Sequence, residues 1–309
     1  MAAVNRCTVG GMAQLTRRGM MMMTAAAAAE TRMPQQNPDR VLDPHVHVWK
    51  HQPELPFVPG APVPNWDAPP ETLIGLMKAH GIAKTVLIQV SYYRNDNRYL
   101  ASVLKQFPQF FHGVCRVDPL DPAAPDHLSR LTEEDRFHGL RLNPVADAAG
   151  DWIRGPLMAP LWKRCEELRV PMTLLMPTSR VPDAAKLVDR FPALTVVVDH
   201  MADCPVDHPE QLEPLLALAR YPRVFVKVSH TWSLSREAYP WMDAQQLVMR
   251  LHEKFGPERL MWATDWPMTQ DKATYGQRLD VVQNGMKFLN DNDKKWMLSK
   301  TIEQVWPFA

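Results

Sequence analysis

Beyond residue 40 one pattern repeats along the chain. A short apolar run rich in β-branched residues, bounded by polar residues or proline, is followed by a longer segment with apolar positions three and four apart. Eight such runs occur, at Val41–Trp49, Ala83–Ser91, Phe110–Asp118, Phe137–Pro144, Val170–Pro177, Leu194–Met201, Arg223–His230 and Arg259–Pro267. Between them the spacing predicts helices at Glu71–His80, Asn97–Gln106, Leu157–Leu168, Asp183–Arg190, Gln211–Ala219 and Asp243–Phe255. Continuous apolar runs, in contrast to alternating ones, mark strands covered on both faces, as in a parallel sheet wrapped by helices. Eight alternations therefore predict an α/β fold, a (β/α)8 TIM barrel. The rival is an open doubly wound sheet, which carries its ligand on a glycine-rich first turn. Here the first strand ends in histidines instead.

In such a barrel the chemistry sits at the carboxyl ends of the strands. The first run carries Asp43, His45 and His47 at alternate positions, so both imidazoles share one side. The sixth ends Val197-Val198-Asp199-His200, and the eighth ends Ala263-Thr264-Asp265-Trp266-Pro267. A lone histidine on an apolar strand is commonly a hydrogen-bonded core residue. His45, His47, His200 and Asp265, at matching heights of three strands, point to a site. Arg141, near the end of the fourth run, offers a fork suited to holding a carboxylate by two hydrogen bonds. Arg116 and Lys227 add positive charge, and each of the three has the alternative of a salt bridge to a neighbour such as Asp118 or Asp199. Tyr92, Tyr93, His230 and Trp232 follow strand ends, where they would pack on or hydrogen-bond a ring, or simply fill loop space. Prolines 53, 56, 59, 62, 64, 69 and 70 stiffen the loop after the first strand, either as a preset wall over the mouth or as packing on the flank.

Composition narrows the classes. Across 309 residues, 35 Lys and Arg balance 34 Asp and Glu, so the chain lacks the basic surplus that binding nucleic acid or an anionic membrane requires. No apolar stretch approaches the roughly 20 residues of a membrane span. Glycine is scarce, at 13 residues, and neither GxGxxG nor GxxxxGK[ST] occurs. Cys7, Cys115, Cys165 and Cys204 show no CxxC spacing, which argues for buried thiols and against a zinc knuckle or disulfide framework. Thr16-Arg17-Arg18-Gly19 precedes Met20–Met23 and Ala25–Ala29, the order of a twin-arginine export signal, but the apolar stretch is short and stops at Glu30. Residues 1–39 are thus read as a tail or degenerate signal and 40–309 as one barrel domain. The expected compartment is the cytoplasm, with periplasmic export as the alternative. The partner expected is a small-molecule substrate, with a homo-oligomer compatible and neither nucleic acid nor membrane involved.

Asp43-Pro44-His45-Val46-His47-Val48-Trp49 resembles the DxHxHxW opening of the amidohydrolase superfamily, and Val198-Asp199-His200 and Ala263-Thr264-Asp265-Trp266-Pro267 resemble its strand 6 histidine and strand 8 aspartate. Gln89-Val90-Ser91-Tyr92-Tyr93, Gly139-Leu140-Arg141-Leu142-Asn143-Pro144 and Lys227-Val228-Ser229 are similar to the branch containing 2-pyrone-4,6-dicarboxylate lactonase and the sugar lactonases. The resemblance implies a hydrolase that opens a cyclic ester, with Asp265 activating water and His45, His47 and His200 polarising the carbonyl. Arg141, Lys227, Arg116, Tyr92 and Trp232 are the expected substrate contacts. Binuclear members carry a bridging Lys or Glu late in strand 4 or 5, where this chain has Arg141, Asn143 and Leu174-Leu175-Met176-Pro177-Thr178. Two cases stay open: no cofactor, or one divalent ion such as zinc on His45, His47, His200 and Asp265. A metal-dependent decarboxylase on the same barrel is the alternative activity, and a binding or scaffolding barrel without turnover is a third reading.

Overall fold

The computed structural model describes residues 40–144 and 151–308. The N-terminal tail or signal read from the sequence, residues 1–39, lies outside the described residues. Eight parallel strands run in sequential order: β1 (Val41–Val46), β2 (Ile82–Ile88), β3 (Phe111–Cys115), β4 (Gly139–Leu142), β5 (Met172–Leu174), β6 (Val196–Val198), β7 (Val224–Val228) and β8 (Leu260–Trp262). The ring closes between its ends: Asp265 N donates to His45 O at 2.9 Å and His47 N to Trp266 O at 2.7 Å. This is the (β/α)8 barrel the periodicity predicted.

The helices follow the strands as α1 (Pro70–Ala79), α2 (Arg98–Gln106), α3 (Ala124–Glu133), α4 (Met158–Leu168), α5 (Val181–Arg190), α6 (Glu213–Ala217), α7 (Thr231–Leu234), α8 (Met242–Phe255) and α9 (Tyr275–Asp280). Five of the six expected helices lie within two residues of their predicted bounds; the sixth, Gln211–Ala219, is the short α6 continued at both ends by 3-10 turns, Pro209–Leu212 and Leu218–Arg220. α3, α7 and α9 were not foreseen; of α3 only Ala124 and Leu128 are buried. No helix among the described residues is long and apolar enough to cross a membrane. Cys115, Cys165 and Cys204 are free and buried.

Two packing features place the site. The C-terminal segment sends Trp306 into the barrel floor, and a Cβ on Gly139 would stand 2.9 Å from Val114 Cγ2 and 3.3 Å from the Trp306 indole nitrogen, so β4 needs glycine there. At the other end, the proline-bearing loop is fastened down. Trp49 and Ala68 exchange backbone hydrogen bonds at 3.0 Å, Trp49 Nε1 donates to Trp66 O at 2.8 Å, and Val58 N donates to Tyr92 O at 2.9 Å. The loop is a wall resting on the rings of Tyr92 and Tyr93 beside the barrel mouth, with Trp49 buried beneath it.

Candidate active site at the barrel mouth

The first strand shows why a two-residue period is only a first approximation. A register shift between Asp43 and Val46 breaks the ladder. His45 and His47 still meet, Nε2 to Nε2 at 3.2 Å. Asp43 leaves them: its carboxylate accepts from Thr264 and from the Tyr275 hydroxyl of α9, the latter at 3.0 Å. Burial raises its pKa to about 6, against the pull of those hydrogen bonds. Asp43 thus ties β1 to the end of β8 and stands outside the reacting cluster.

Asp265 is the centre of that cluster. It is 3% exposed, and its two oxygens face different imidazoles. Oδ1 lies 3.1 Å from His47 Nε2 and 3.4 Å from His45 Nε2, and among the described residues it has no hydrogen-bond donor of good geometry. Oδ2 lies 2.9 Å from His230 Nε2. Burial alone would raise the pKa of this carboxyl; the imidazoles of His230 and His47 overcome that and hold it well below the ordinary range. His47 Nδ1 is 2.7 Å from Ile88 O. A carbonyl only accepts, so Nδ1 carries a proton, and Nε2 is left facing the carboxylate oxygen.

His200, fully buried, bonds Ser229 Oγ through Nδ1 at 2.7 Å. Burial first, and then the neighbouring His230, keeps it neutral by pushing its pKa well down. His230 stacks on it, centroids 3.6 Å apart and planes 6° from parallel. Burial pulls the His230 pKa down, but Asp203, 3.1 Å from Nδ1, and Asp265 together raise it to about 9. His200, His230 and Asp265 all sit in the left-handed backbone region, with φ of 51°, 66° and 53°. That conformation costs a non-glycine residue on the order of 1 kcal/mol, and such strain gathers where side chains must be aimed.

Below the histidines lies a buried charge network around Asp199. Its Oδ1 is 3.0 Å from Lys227 Nζ and 3.2 Å from His45 Nδ1, and its Oδ2 accepts from Arg141 Nε at 3.0 Å. Lys227 is wholly buried, over the Trp306 ring. This corrects the expectation that Lys227 meets substrate at the mouth: its place on β7 points the ammonium into the floor, where it neutralises Asp199 and touches His45. Arg141 is likewise turned to Asp199 by its inward position on β4, so its Nε is not free for a substrate carboxylate. Arg116 is the opposite case. Its Nε and Nη1 are buried without a hydrogen-bond partner among the described residues, and burial, followed by the charges of Arg141 and Arg94, lowers its pKa to about 10, so it stays cationic. Asn97 fixes its backbone by accepting from Arg116 N at 3.0 Å and donating to Arg116 O at 2.8 Å.

Tyr92 is packed edge-on against Trp49, with its hydroxyl 4.0 Å from Met268 Sδ. Trp232 donates from Nε1 to Thr269 Oγ1 at 2.8 Å and lies 6.0 Å from the His230 ring. Of the predicted residues, the structure brings His45, His47, His200 and Asp265 together. His230, considered from sequence only as a ring contact, proves integral to the cluster; the signal was a histidine just past the end of a strand, as in β6. Asp203 carried no such signal.

A model of the amidohydrolase family matches residues 42–308. The chain is similar to an L-fucono-1,5-lactonase of Burkholderia ambifaria, 27% identical over 245 residues that cover 76% of this chain and 83% of that protein. It is also similar to a 2-pyrone-4,6-dicarbaxylate hydrolase of Comamonas testosteroni, 28% identical over 244 residues, 74% of this chain and 77% of that one. A solved structure described as a putative 2-pyrone-4,6-dicarboxylic acid hydrolase from Pseudomonas putida superposes with a TM-score of 0.72 at 27% identity, covering 87% of this chain and 98% of that one.

Proposed function

Since this chain belongs to the amidohydrolase family, we propose that its barrel mouth hydrolyses a lactone, one bearing a carboxylate. The observation that carries the reading is Asp265, a buried carboxylate held ionised where four imidazoles converge on the rim of a parallel barrel. Water adds to the lactone carbonyl carbon while Asp265 takes its proton. The tetrahedral carbon then releases the ring oxygen, and the same proton goes to that alkoxide, giving a hydroxy acid whose carboxyl ionises. Arg116, with donors that find no partner among the described residues and with Arg141 and Arg94 nearby, supports a role in holding the substrate carboxylate. Tyr92 beside Met268, and Trp232 against the His230 ring, are the aromatic groups that would pack on the substrate ring.

The residues fit a divalent cation. His45, His47 and Asp265 form a compact nitrogen and oxygen donor set suited to zinc, and Asp265 Oδ1 is a buried acceptor without a hydrogen bond among the described residues. Such an ion, when bound, supplies Lewis-acid polarisation of the carbonyl. His45 Nδ1 between Asp199 and Lys227, and His47 Nδ1 on Ile88 O, are the outer contacts that fix both rings.

The test is acid release from a panel of sugar-acid lactones and carboxylated unsaturated lactones, with and without chelator, for the native protein and Asp265→Asn. Hydrolysis that falls by about 10³ or more in Asp265→Asn supports the assignment. Carbon dioxide release from aromatic acids without lactone hydrolysis would replace it with a lyase.

A further inference from the structure

We propose that Arg278 is a positioning residue for substrate binding: its buried guanidinium holds the loop between β8 and α9, and through that loop it fixes Trp232 and the Met268 contact of Tyr92 at the barrel mouth. The hold on Trp232 stands without the hydrolase reading, whereas the expected effect on KM rests on it.

Arg278 is 1% exposed. Every hydrogen bond it makes among the described residues goes to a backbone carbonyl: Nη1 to Thr264 O at 2.8 Å, Nη2 to Thr269 O at 2.8 Å and to Ala273 O at 2.9 Å, and Nε to Ala273 O at 3.2 Å. Burial lowers its pKa to about 10, so the group is cationic at neutral pH. Enclosing a cation with no carboxylate hydrogen-bonded to it is costly, and an apolar side chain would pack α9 on the barrel at less cost. What the charge provides is a hold at three points, since Thr264, Thr269 and Ala273 stand at the start, middle and end of the loop. A planar fork of five donors reaches all three carbonyls; a lysine ammonium donates from a single point.

The sequence aims that fork. Thr274 and Gln277 form a capping box at the start of α9, with Thr274 Oγ1 accepting from Gln277 N at 3.2 Å and Gln277 Oε1 accepting from Thr274 N at 3.0 Å. The first turn is thereby fixed, and Arg278 shares the buried face of the helix with Tyr275, three residues before it.

The loop then reaches both sides of the mouth, because Tyr92 follows β2 and Trp232 follows β7. Thr269 Oγ1 accepts from Trp232 Nε1 at 2.8 Å, and the Arg278 guanidinium carbon stands 4.6 Å from the centroid of the same indole. Trp232 is held at its edge by a residue that Arg278 anchors, and on its face by Arg278 itself. Met268, next in the chain, accepts from the Tyr92 hydroxyl at 4.0 Å. Thr269 has φ of 50°, left-handed backbone that a β-branched residue seldom adopts, and the bonds at its carbonyl and hydroxyl keep it there.

A clamp that only stabilised the loop would reduce activity without regard to Trp232. The full-length protein is grown with 5-fluorotryptophan, and the fluorine resonance of Trp232 is assigned by its loss in Trp232→Phe. In Arg278→Lys and Arg278→Met this resonance should shift or broaden. KM for lactones should rise about tenfold in both variants with kcat changed less than about threefold, and Arg278→Met added to Trp232→Ala should raise KM little further, because both substitutions remove one interaction. An unmoved Trp232 resonance, a fully additive rise in KM in the double variant, or a fall in kcat with KM unchanged overturns the proposal. Should neither Arg278 variant fold, Thr269→Gly decides: it suits the left-handed backbone and removes the hydroxyl acceptor, so the Trp232 resonance must move, and a native-like resonance overturns the proposal. A native protein that opens no lactone removes the hydrolase reading, and the resonance then decides the hold on Trp232 by itself.

Discussion

Replacing Asp199 by Asn should destabilise the barrel more than replacing Lys227 by Met, although the two partners stand only 3.0 Å apart. Asp199 pairs with both Lys227 and Arg141, with side chains 0%, 0% and 6% exposed, and burial alone would push its pKa up. Lys227, Arg141 and His45 reverse that and hold it well below the ordinary range, so Asp199 is charged wherever the protein is folded at neutral pH. Breaking a buried ion pair by removing one partner costs about 3–5 kcal/mol, because the other charge is left without compensation. Lys227→Met leaves Asp199 with Arg141 and belongs at the low end, about 3 kcal/mol. Asp199→Asn keeps the shape but leaves two buried cations facing an amide, which belongs at the top, about 5 kcal/mol. At about 2–4 °C per kcal/mol for a domain approaching this size, Tm should fall by roughly 6–12 °C and 10–20 °C. Urea denaturation followed by circular dichroism gives the free energies directly, with calorimetry for Tm. If Lys227→Met costs as much as Asp199→Asn, or if both fall within about 1 kcal/mol of the native protein, Asp199 is not the centre of charge that the geometry describes.

Three further outcomes follow from particular contacts. Arg116→Met should raise KM about tenfold or more for carboxylate-bearing lactones and leave neutral lactones nearly unchanged; an equal rise for both would make Arg116 structural. At the barrel floor His112 stacks between His138, at 3.7 Å, and Phe308, at 4.1 Å, and burial lowers the two histidine pKa values from 6.5 to about 3 and about 4. Both rings bind protons more readily when unfolded. Their contribution is therefore complete above pH 6.5 and declines toward pH 4, by about 1.4 kcal/mol per pH unit for each histidine. Asp43, raised to about 6, acts in the opposite sense and offsets part of the slope below that pH. Urea midpoints measured across this interval should show the decline, and His112→Phe should remove the share of one histidine; an unchanged slope would refute the assignment. Asn97→Ala should weaken carboxylate-lactone binding through Arg116 while sparing kcat, read as a rise in KM alone.

The sequence by itself determined the fold and the floor plan of the site. Continuous apolar runs require strands buried on both faces, and eight of them separated by amphipathic segments admit a closed parallel barrel. Polar residues that interrupt such runs only near their carboxyl ends, as at His45, His200 and Asp265, are costly to bury unless they meet one another, so their convergence was legible. What the alternation could not show was where the ladder breaks. The register shift in β1 turned Asp43 away from the histidines it shares a period with. Nor does a one-dimensional pattern say which buried charges neutralise each other. Arg141, Lys227 and Arg116 look equivalent along the chain, and only the closed barrel, by carrying β4, β6 and β7 to one interior, gave Asp199 to the first two and left the third without a carboxylate partner among the described residues. His230 and the two-sided use of Asp265 likewise depend on left-handed backbone after β7 and β8. That geometry is set by packing across the barrel mouth, among residues far apart in the chain.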